Sequence, residues 1–352
     1  MKIYKDVDLS KLSYMKIGGI GQFLVEIEKN SEIKELYEFI NKESKPKNST
    51  GKNLSENLPI VFIGEGSNTI FSDEYHKKIF VRLKQKDIIK TYENEEFVNL
   101  KVSAGLGWDE FVEWSVSNSF SGIECLSSIP GTVGASPIQN IGAYGQEVKD
   151  SIINVEVYEL ETKKFYNISN SECDFSYRNS IFKKNIGKFV ILNVGFMLSK
   201  KEPKKPIYKD LSLYFLTKQI KKPTLKEIRE TVIKIRKQKL PDYKKEPNCG
   251  SFFQNPIISN KLAEKLIIKY PNIPQYNAGE GKTKVSGGWL IQESGLKGRD
   301  FNGIKIHSKS ALVLVNTGTG NFENLKKAIN KITSIVFEKF EIELKPEPNI
   351  IE

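Results

Sequence analysis

The chain has 352 residues and a formal net charge of +11, and 39% of its residues are hydrophobic. This length allows two or three domains, each large enough to bury its own core. The sequence contains no apolar run of about eighteen residues, which excludes a transmembrane helix, and residues 1–16 lack the apolar core of a signal peptide. We therefore expect a cytoplasmic protein with no membrane partner.

The excess of lysine raises the alternative of a nucleic-acid-binding protein. The lysines are spread along the whole chain, however, and acidic residues lie among them throughout. A nucleic-acid interface requires clustered basic residues interleaved with aromatic ones. We interpret the charge as a solvated surface, part of which steers anionic substrates, and expect no nucleic-acid partner.

The three cysteines are Cys125, Cys173 and Cys249. Their odd number and the lack of motif spacing argue against a disulfide framework and against a metal site. A reducing cytoplasm fits this pattern best.

Residues 1–84 predict a small α+β subdomain. Alternation over residues 22–28 predicts a strand, and Ser31 is predicted to cap an amphipathic helix. The polar residues 45–57 predict a surface loop, and the apolar runs 59–63 and 79–83 predict two further strands.

Residues 85–222 predict a second α+β subdomain. A strand over residues 98–104 precedes a helix whose inner face carries Trp108, Phe111, Val112 and Ser115. Strands are predicted over residues 153–160 and 189–198, with a hairpin signal between residues 160 and 164. The basic, proline-marked residues 200–222 are interpreted as a mobile connection.

Residues 223–341 predict a third α+β unit. Thr224 and Glu227 form a capping box that predicts a helix through Ile235. The other predicted elements are helices over residues 262–270, 288–293 and from Asn321 onward, and a strand over residues 311–315. The tail, residues 342–352, is expected to return as a strand that joins the first subdomain.

Two glycine-rich segments stand out from the lysine-rich remainder. Residues 127–145 read SSIPGTVGASPIQNIGAYG, and residues 63–68 read IGEGSN directly after an apolar run. Glycines allow positive φ and close approach of the backbone to a ligand, and inward-facing amides can hold an anion. We therefore predict that these segments hold a diphosphate, with Gly66 and Gly134 tolerating no side chain; a plain loop between strands is the alternative for residues 127–145.

Three polar residues stand in apolar or glycine-rich surroundings: Arg178 in SYRNS, Ser251 in NCGSFFQNP and Glu347 between two prolines. Each residue alone has an ordinary structural alternative. Arg178 is then a surface arginine, Ser251 a turn serine and Glu347 part of a frayed tail.

Taken together, these segments resemble the UDP-N-acetylenolpyruvoylglucosamine reductase (MurB) family, and the resemblance covers nearly the whole chain. IGEGSN and SIPGTVGASPIQNIGAYG resemble its flavin-binding segments, and YRNSIFK, CGSFFQNP and LKPEP its catalytic motifs. The resemblance implies a vanillyl-alcohol-oxidase-like (PCMH-type) FAD-binding fold of class α+β. It comprises two α+β subdomains, residues 1–84 and 85–222, and a C-terminal α+β substrate-binding domain, residues 223–341.

The resemblance also implies the reaction. NADPH reduces bound FAD and leaves; UDP-N-acetylglucosamine enolpyruvate then enters and is reduced to UDP-N-acetylmuramate, a cytoplasmic step of peptidoglycan precursor synthesis. Ser251 is implied as the proton donor, and Arg178 and Glu347 as groups that stabilise the enolate. This agrees with chemistry in which an arginine stabilises developing negative charge and a positioned hydroxyl supplies the proton.

Further residues are assigned by the same resemblance. Those assigned to FAD are Gly64, Glu65, Gly66, Ser67, Asn68, Ser128, Ile129, Pro130, Gly131, Gly134, Ala135, Ser136, Asn140, Gly142, Ala143, Tyr144 and Gly145. Those assigned to the substrate are Tyr177, Tyr208, Lys239 and Asn255. Ordinary surface positions remain the alternative for Tyr208 and Lys239.

The chain departs from the family pattern in two places. Pro348 and Asn349 stand where the family commonly has Val-Arg, and the loop at residues 45–57 is longer than expected. His76 and His307, the only histidines, lie outside the glycine-rich loops, so we expect non-covalent FAD. We also expect a monomer. The rival enzyme hypothesis is another FAD-dependent oxidoreductase of the same fold.

Overall fold

A computed structural model describes residues 1–43 and 58–352. The surface loop predicted at residues 45–57 lies outside the described residues. Within those ranges, every helix is too short or too polar to cross a bilayer.

Strands and helices alternate along the described chain, in agreement with the α+β prediction. The strands are β1 (Lys2–Asp8), β2 (Ile20–Ile27), β3 (Ile60–Phe62), β4 (Thr69–Phe71), β5 (Tyr75–Leu83), β6 (Ile88–Glu93), β7 (Phe97–Ser103), β8 (Gly142–Ala143), β9 (Gln146–Glu147), β10 (Ile152–Glu159), β11 (Lys164–Ser169), β12 (Phe189–Ser199), β13 (Asn248–Ser251), β14 (Ile257–Ser259), β15 (Gln275–Asn277), β16 (Lys282–Val285), β17 (Asp300–Phe301), β18 (Ile304–Ile306), β19 (Val313–Asn316) and β20 (Asn349–Ile351). The α-helices are α1 (Ile33–Glu43), α2 (Trp108–Ser117), α3 (Ile181–Lys184), α4 (Lys209–Thr217), α5 (Leu225–Lys239), α6 (Asn260–Lys269), α7 (Gly287–Glu293) and α8 (Phe322–Phe340).

The chain divides into two compact units. The first unit comprises Met1–Val7, Gly21–Glu65 and Tyr75–Arg236, and the second comprises Asp8–Ile20, Gly66–Glu74 and Lys237–Glu352. These bounds differ from the predicted ones, because α5 belongs to the first unit as far as Arg236 rather than to a unit that begins at residue 223.

The first unit contains two larger sheets and the two-stranded sheet β8-β9. One has the order β1-β2-β5-β3, with β3 and β5 parallel, and the other is antiparallel with the order β11-β10-β12-β7-β6. Helix α2 buries Trp108, Phe111, Val112 and Ser115, the inner face that the spacing predicts. Trp108, Phe111 and Val112 pack in one cluster with apolar residues of β7 and β12, so the five-stranded sheet and α2 form a layered core.

Two local predictions are corrected in the first unit. Ser31 does not cap α1; it lies in a 3₁₀ turn, and the Glu32 carboxylate accepts the N–H groups of Glu28 and Lys29. Residues 200–222 are not only a connection, because they contain α4. Leu211 and Phe215 of α4 are fully buried, and they pack with apolar residues of α5.

The capping box that begins α5 is confirmed. The Glu227 carboxylate accepts from the Thr224 N–H at 2.8 Å, and the Thr224 hydroxyl accepts from the Glu227 N–H at 3.2 Å. The reciprocal pair satisfies donors that the first helical turn leaves open.

The second unit has a separate core built around α8. One of its sheets has the order β13-β19-β18-β17. A second, three-stranded sheet has the order β14-β16-β15. Helix α8 begins after Asn321, close to the predicted start, and the Asn321 side chain is its N-cap; Leu325, Ala328 and Ile332 are fully buried.

The tail returns as a strand only over β20. This strand pairs in parallel with β4, Asn349 opposite Thr69, and both strands belong to the second unit. The tail therefore pairs with a strand inside residues 1–84, as expected, although β4 belongs to the second unit and not to the sheet that β1, β2, β3 and β5 form.

Candidate functional site

The glycine-rich segment follows the end of β7 in the first unit. The Val133 N–H donates to the Leu106 carbonyl at 2.8 Å, and the Gly134 N–H donates to the Ala104 carbonyl at 2.9 Å. A Cβ at Gly134 would lie 2.5 Å from the Ala104 Cβ. Gly134 is thus required by packing inside the protein, whatever it contributes to a ligand.

The residues near the start of the loop after β3 lie beside this segment. A Cβ on Gly64 would lie 3.0 Å from Thr132 Oγ1, and Glu65 Oε2 accepts the Gly131 N–H at 3.2 Å. Within the described residues, the N–H groups of Gly64, Ile129 and Thr132 donate no hydrogen bond. Unpaired amides on glycine-rich turns can bind an anion, and the diphosphate of FAD is an anion of this kind.

Ser128 has a left-handed conformation, and its N–H is bound by a partly buried ion pair. Its φ is +62°, and its N–H donates to Asp109 Oδ1 at 2.5 Å. Arg229 donates to both oxygens of Asp109, at 2.6 and 3.1 Å, and Arg229 is only 8% exposed. Sequence reasoning did not identify Asp109 or Arg229.

Arg178 contacts the glycine-rich segment directly. Its φ is +53°, its Nη2 donates to the Gly142 carbonyl at 3.0 Å, and its Nη1 donates to the Asn140 carbonyl at 3.5 Å. Its guanidinium lies over the Tyr177 ring, 5.3 Å from the centroid. The arginine motif and the predicted cofactor loop are therefore joined in the first unit.

Glu147 is the acidic group in these surroundings. Burial alone would raise the pKa of its carboxyl. Hydrogen bonds from Lys149 and Asn140, with the charges of Lys149 and Arg178, hold that pKa below its ordinary value. Glu147 is therefore ionised near neutral pH, opposite a cationic Arg178.

Two of the predicted cofactor residues direct their side chains into the protein. Asn140 donates to Glu147 Oε2 at 3.0 Å and to the Ser176 carbonyl at 3.2 Å, and the Ser136 hydroxyl donates to the Val133 carbonyl at 2.7 Å. The other assigned residues of this segment lie in the same unit: Ile129, Pro130, Gly131, Ala135, Ala143 and Gly145.

Two tyrosines and an arginine form a second cluster in the first unit. The ring of Tyr144 meets that of Tyr208 edge-on at a centroid distance of 5.4 Å. Burial raises the pKa of the Tyr144 phenol and lowers the pKa of Arg236, and each group lies close enough to affect the other's charge. Arg236 is a further residue that sequence reasoning missed.

The serine and glutamate motifs lie side by side in the second unit. Ser251 ends β13 and is exposed. The next residue, Phe252, accepts the Glu347 N–H at its carbonyl at 2.8 Å, and Gln254 donates its N–H to the Lys345 carbonyl at 3.0 Å. The structure therefore brings together two motifs that are about a hundred residues apart in sequence.

The remaining flavin-assigned residues also lie in the second unit. Asn68 donates from its side chain to the Glu347 carbonyl at 3.4 Å, and its own carbonyl accepts the Asn349 N–H at 2.9 Å. Ser67 lies in the same unit, and Gly66 has φ +76° with the position of its missing Cβ 1.6 Å from the Leu12 carbonyl oxygen. As at Gly134, the glycine is needed by the protein's own backbone.

The predicted substrate residues differ in their surroundings. Asn255 Oδ1 accepts the Gly287 N–H at 2.9 Å, at the start of α7, and so has a structural role. Lys239 ends α5 and is exposed, and Tyr208 precedes α4 and is 38% exposed.

Metal and thiol chemistry find no support in the described residues. Those residues contain no cluster of three or more His, Cys, Asp or Glu that could hold a metal ion. Burial raises the pKa of Cys125, Cys173 and Cys249 to about 12, so each thiol stays protonated. Cys249, close to Ser251 in sequence, is therefore a core residue rather than a nucleophile.

Comparison with known proteins agrees with this geometry. Residues 22–162 match the FAD binding domain family, and residues 241–351 match the family described as UDP-N-acetylenolpyruvoylglucosamine reductase, C-terminal domain. The solved UDP-N-acetylenolpyruvylglucosamine reductase (MurB) of Thermus caldophilus has the same fold, with a TM-score of 0.66 over 100% of both chains at 21% identity.

Curated relatives extend the match along the sequence. The UDP-N-acetylenolpyruvoylglucosamine reductase of Flavobacterium johnsoniae is 39% identical over 82% of this chain and 86% of its own. That of Aliivibrio fischeri is 41% identical over 81% of this chain and 80% of its own. The chain belongs to the UDP-N-acetylenolpyruvoylglucosamine reductase family.

Proposed function

We propose that this protein reduces UDP-N-acetylglucosamine enolpyruvate to UDP-N-acetylmuramate, using NADPH and bound FAD. The observation that carries the proposal is family membership over both the FAD binding region and the C-terminal domain. The adjacency of the Ser251 and Glu347 motifs in the second unit supports it. We further propose that the protein acts in the cytoplasm as a monomer and takes small molecules as its partners.

The glycine-rich residues of the first unit would hold FAD by their backbone. The unpaired N–H groups of Gly64, Ile129 and Thr132 are placed to bind its diphosphate. We propose non-covalent binding, because the three cysteines are buried and protonated. When bound there, FAD would supply the hydride for the β-carbon of the enolpyruvyl group.

Arg178 would stabilise the negative charge that develops on the substrate carboxylate and enolate. Its guanidinium is oriented by the Gly142 carbonyl and supported by the Tyr177 ring. A donor held in place before the reaction stabilises developing charge without reorganisation. The left-handed backbone at Arg178 is the kind of local strain that functional sites retain.

Ser251 would donate the proton to the α-carbon, and Glu347 would assist. The Ser251 side chain is exposed at the end of β13, where a ligand can reach it. The backbone of Glu347 is held to the carbonyl of the residue that follows Ser251. A serine is a weak acid, so it needs such a fixed setting to act as a general acid.

An anaerobic two-step experiment tests the proposal. The purified protein should be yellow, NADPH should bleach its flavin, and the UDP enolpyruvyl substrate should restore the colour. Ser251→Ala should bleach normally, with reoxidation slowed by at least about 10²-fold, the loss expected for a general acid. Glu347→Gln should show the same asymmetry.

Several outcomes would contradict the proposal. A colourless protein that takes up no FAD would refute both this function and any other flavin enzyme of the fold. Flavin that is reduced by NADPH but not reoxidised by the UDP substrate would indicate a different flavin-dependent oxidoreductase. Equal failure of Ser251→Ala in both steps would make Ser251 a structural residue.

A further inference from the structure

Arg236, near the end of α5, has a guanidinium group that finds no acceptor among the described residues. Its Nε is buried and donates to nothing in residues 1–43 and 58–352, and its terminal nitrogens make no hydrogen bond or ion pair there. A guanidinium carries five N–H donors and stays charged. Arg236 is partly buried, and a buried N–H such as its Nε–H costs free energy when it has no acceptor.

The nearby acidic group is already engaged. Both oxygens of Asp109 accept from Arg229, and one of them also accepts the Ser128 N–H. Asp109 attracts Arg236 only through space, at longer range. Asp109 is thus the acidic group near two guanidinium groups, of which it is bonded only to Arg229, and within the described part of the chain the charge of Arg236 is not neutralised by a bonded partner.

The other neighbours of Arg236 place it close to the predicted ligand residues. Tyr144, which belongs to the glycine-rich segment, interacts electrostatically with Arg236 and meets the Tyr208 ring edge-on. All three residues lie in the first unit. An anion that reached Arg236 would therefore lie beside residues assigned to FAD and to the UDP substrate.

We propose that Arg236 binds a diphosphate group in the first unit. The inference rests on the proposed function, because FAD and the UDP substrate both carry this group. The planar fork of an arginine matches phosphate oxygens with two parallel hydrogen bonds. Such bonds would satisfy the donors that the protein leaves open.

This role predicts opposite effects on stability and on binding. Replacing Arg236 with methionine removes a partly buried cation whose Nε–H has no acceptor in the described residues, so the ligand-free protein should melt at the same or a higher temperature. The same change removes charge-assisted hydrogen bonds to the ligand, so affinity should fall by about 10- to 100-fold. An arginine that served only the fold would lower the melting temperature and leave the affinity unchanged.

The experiment compares Arg236→Met and Arg236→Lys with Lys234→Met. Lys234 is a matched control, because it is an exposed cation on the same helix. For each protein, the melting temperature is measured after removal of flavin, FAD is titrated into the flavin-free protein, and UDP is titrated into the FAD-loaded protein. Weakened FAD binding assigns Arg236 to the FAD diphosphate, and weakened UDP binding assigns it to the substrate diphosphate. Arg236→Lys should be intermediate, because an ammonium cannot bind in the bidentate way.

The proposal is overturned if Arg236→Met binds FAD and UDP within about twofold of the wild-type affinity. It is also overturned if that variant does not fold, because the ligand-free protein is required to tolerate the loss of the cation. If the wild type and Lys234→Met bind neither FAD nor UDP, the proposed function fails. Inorganic pyrophosphate then decides about Arg236 alone: it should raise the melting temperature of the wild type and not that of Arg236→Met.

Discussion

Replacing Arg229 with methionine removes the cation that orients Asp109 beneath the glycine-rich segment. In the structure the two side chains form a bidentate ion pair, and Asp109 also accepts the Ser128 N–H. Methionine keeps most of the apolar contacts of the arginine stem in α5. The change therefore tests the charge and its hydrogen bonds rather than the packing.

The expected loss of stability lies between two limits. Removing one partner of a fully buried pair costs about 3–5 kcal/mol, and an exposed pair contributes about 0–1 kcal/mol. The Arg229 side chain is 10% exposed and that of Asp109 is 40% exposed. We therefore expect a loss of about 2 kcal/mol, which corresponds to a fall of about 4–8 °C in melting temperature for a unit of this size.

The consequence for the ligand site follows from Ser128. A non-glycine residue at positive φ costs of the order of 1–3 kcal/mol and persists only where its surroundings hold it. Without Arg229, Asp109 holds the Ser128 N–H less firmly, and the adjacent Ile129 N–H loses its orientation. FAD should bind more weakly as well.

Thermal unfolding of the flavin-free protein and FAD titration measure the two effects, with Lys234→Met as the control. A double-mutant cycle with Asp109→Asn isolates the pair. If the losses caused by Arg229→Met and Asp109→Asn add within about 0.5 kcal/mol, the two residues do not act as a unit. Contacts other than the Arg229–Asp109 pair would then hold Ser128 in its left-handed conformation.

Three further predictions follow from burial and charge. Phe215→Ala should lower the free energy of unfolding, measured with denaturant, by about 3–5 kcal/mol, because Phe215 is 0% exposed. Leu216→Ala on the same helix is the control: Leu216 is 69% exposed, so its loss should change the free energy of unfolding little. The pKa of Glu147 is lowered in the folded state, so its contribution to stability is present above the ordinary value of 4.5 and is lost as pH falls through the folded pKa; Glu147→Gln should therefore be less stable than the wild type at pH 7, with the difference shrinking below pH 4.5. The native protein should not react with a thiol reagent at pH 8, and all three cysteines should react after unfolding, since burial raises the pKa of each to about 12; rapid reaction of the native protein would show that a thiol is accessible.

Local sequence patterns predicted the elements whose signals are complete within one segment. Residues 108–115 show their inner face by spacing alone, and the capping box at Thr224 marks the start of α5. In α4 the pattern was shorter, one buried pair at Leu211 and Phe215. The surrounding lysines and prolines are typical of a connection, so the sequence does not predict this helix. Ser31 does not cap α1, and the side chain that binds backbone N–H groups before this helix is that of Glu32.

The site was predictable only where its residues form motifs. The residues that flank Ser251 and Glu347 predict both as site residues, and the structure places the two motifs together in the second unit. Asp109 and Arg229 are 120 residues apart, and neither belongs to a recognisable pattern. Arg236 reads as one more cation in a basic helix. Only burial separates it from Lys234 and Lys237, and burial is a property of the tertiary structure.

The glycine pattern predicts the positions where a side chain is excluded, but it does not identify the atoms that exclude it. Gly66 and Gly134 were predicted to exclude side chains because a ligand comes close, yet the nearest atoms are the Leu12 carbonyl and Ala104. Loss of flavin in Gly134→Val would therefore not distinguish a broken diphosphate site from a displaced β7. Gly145 differs, because no atom of the described residues lies within 4 Å of the position its Cβ would take. A glycine motif thus indicates where the backbone must come close to something, and only the structure tells whether that is a ligand or the protein itself.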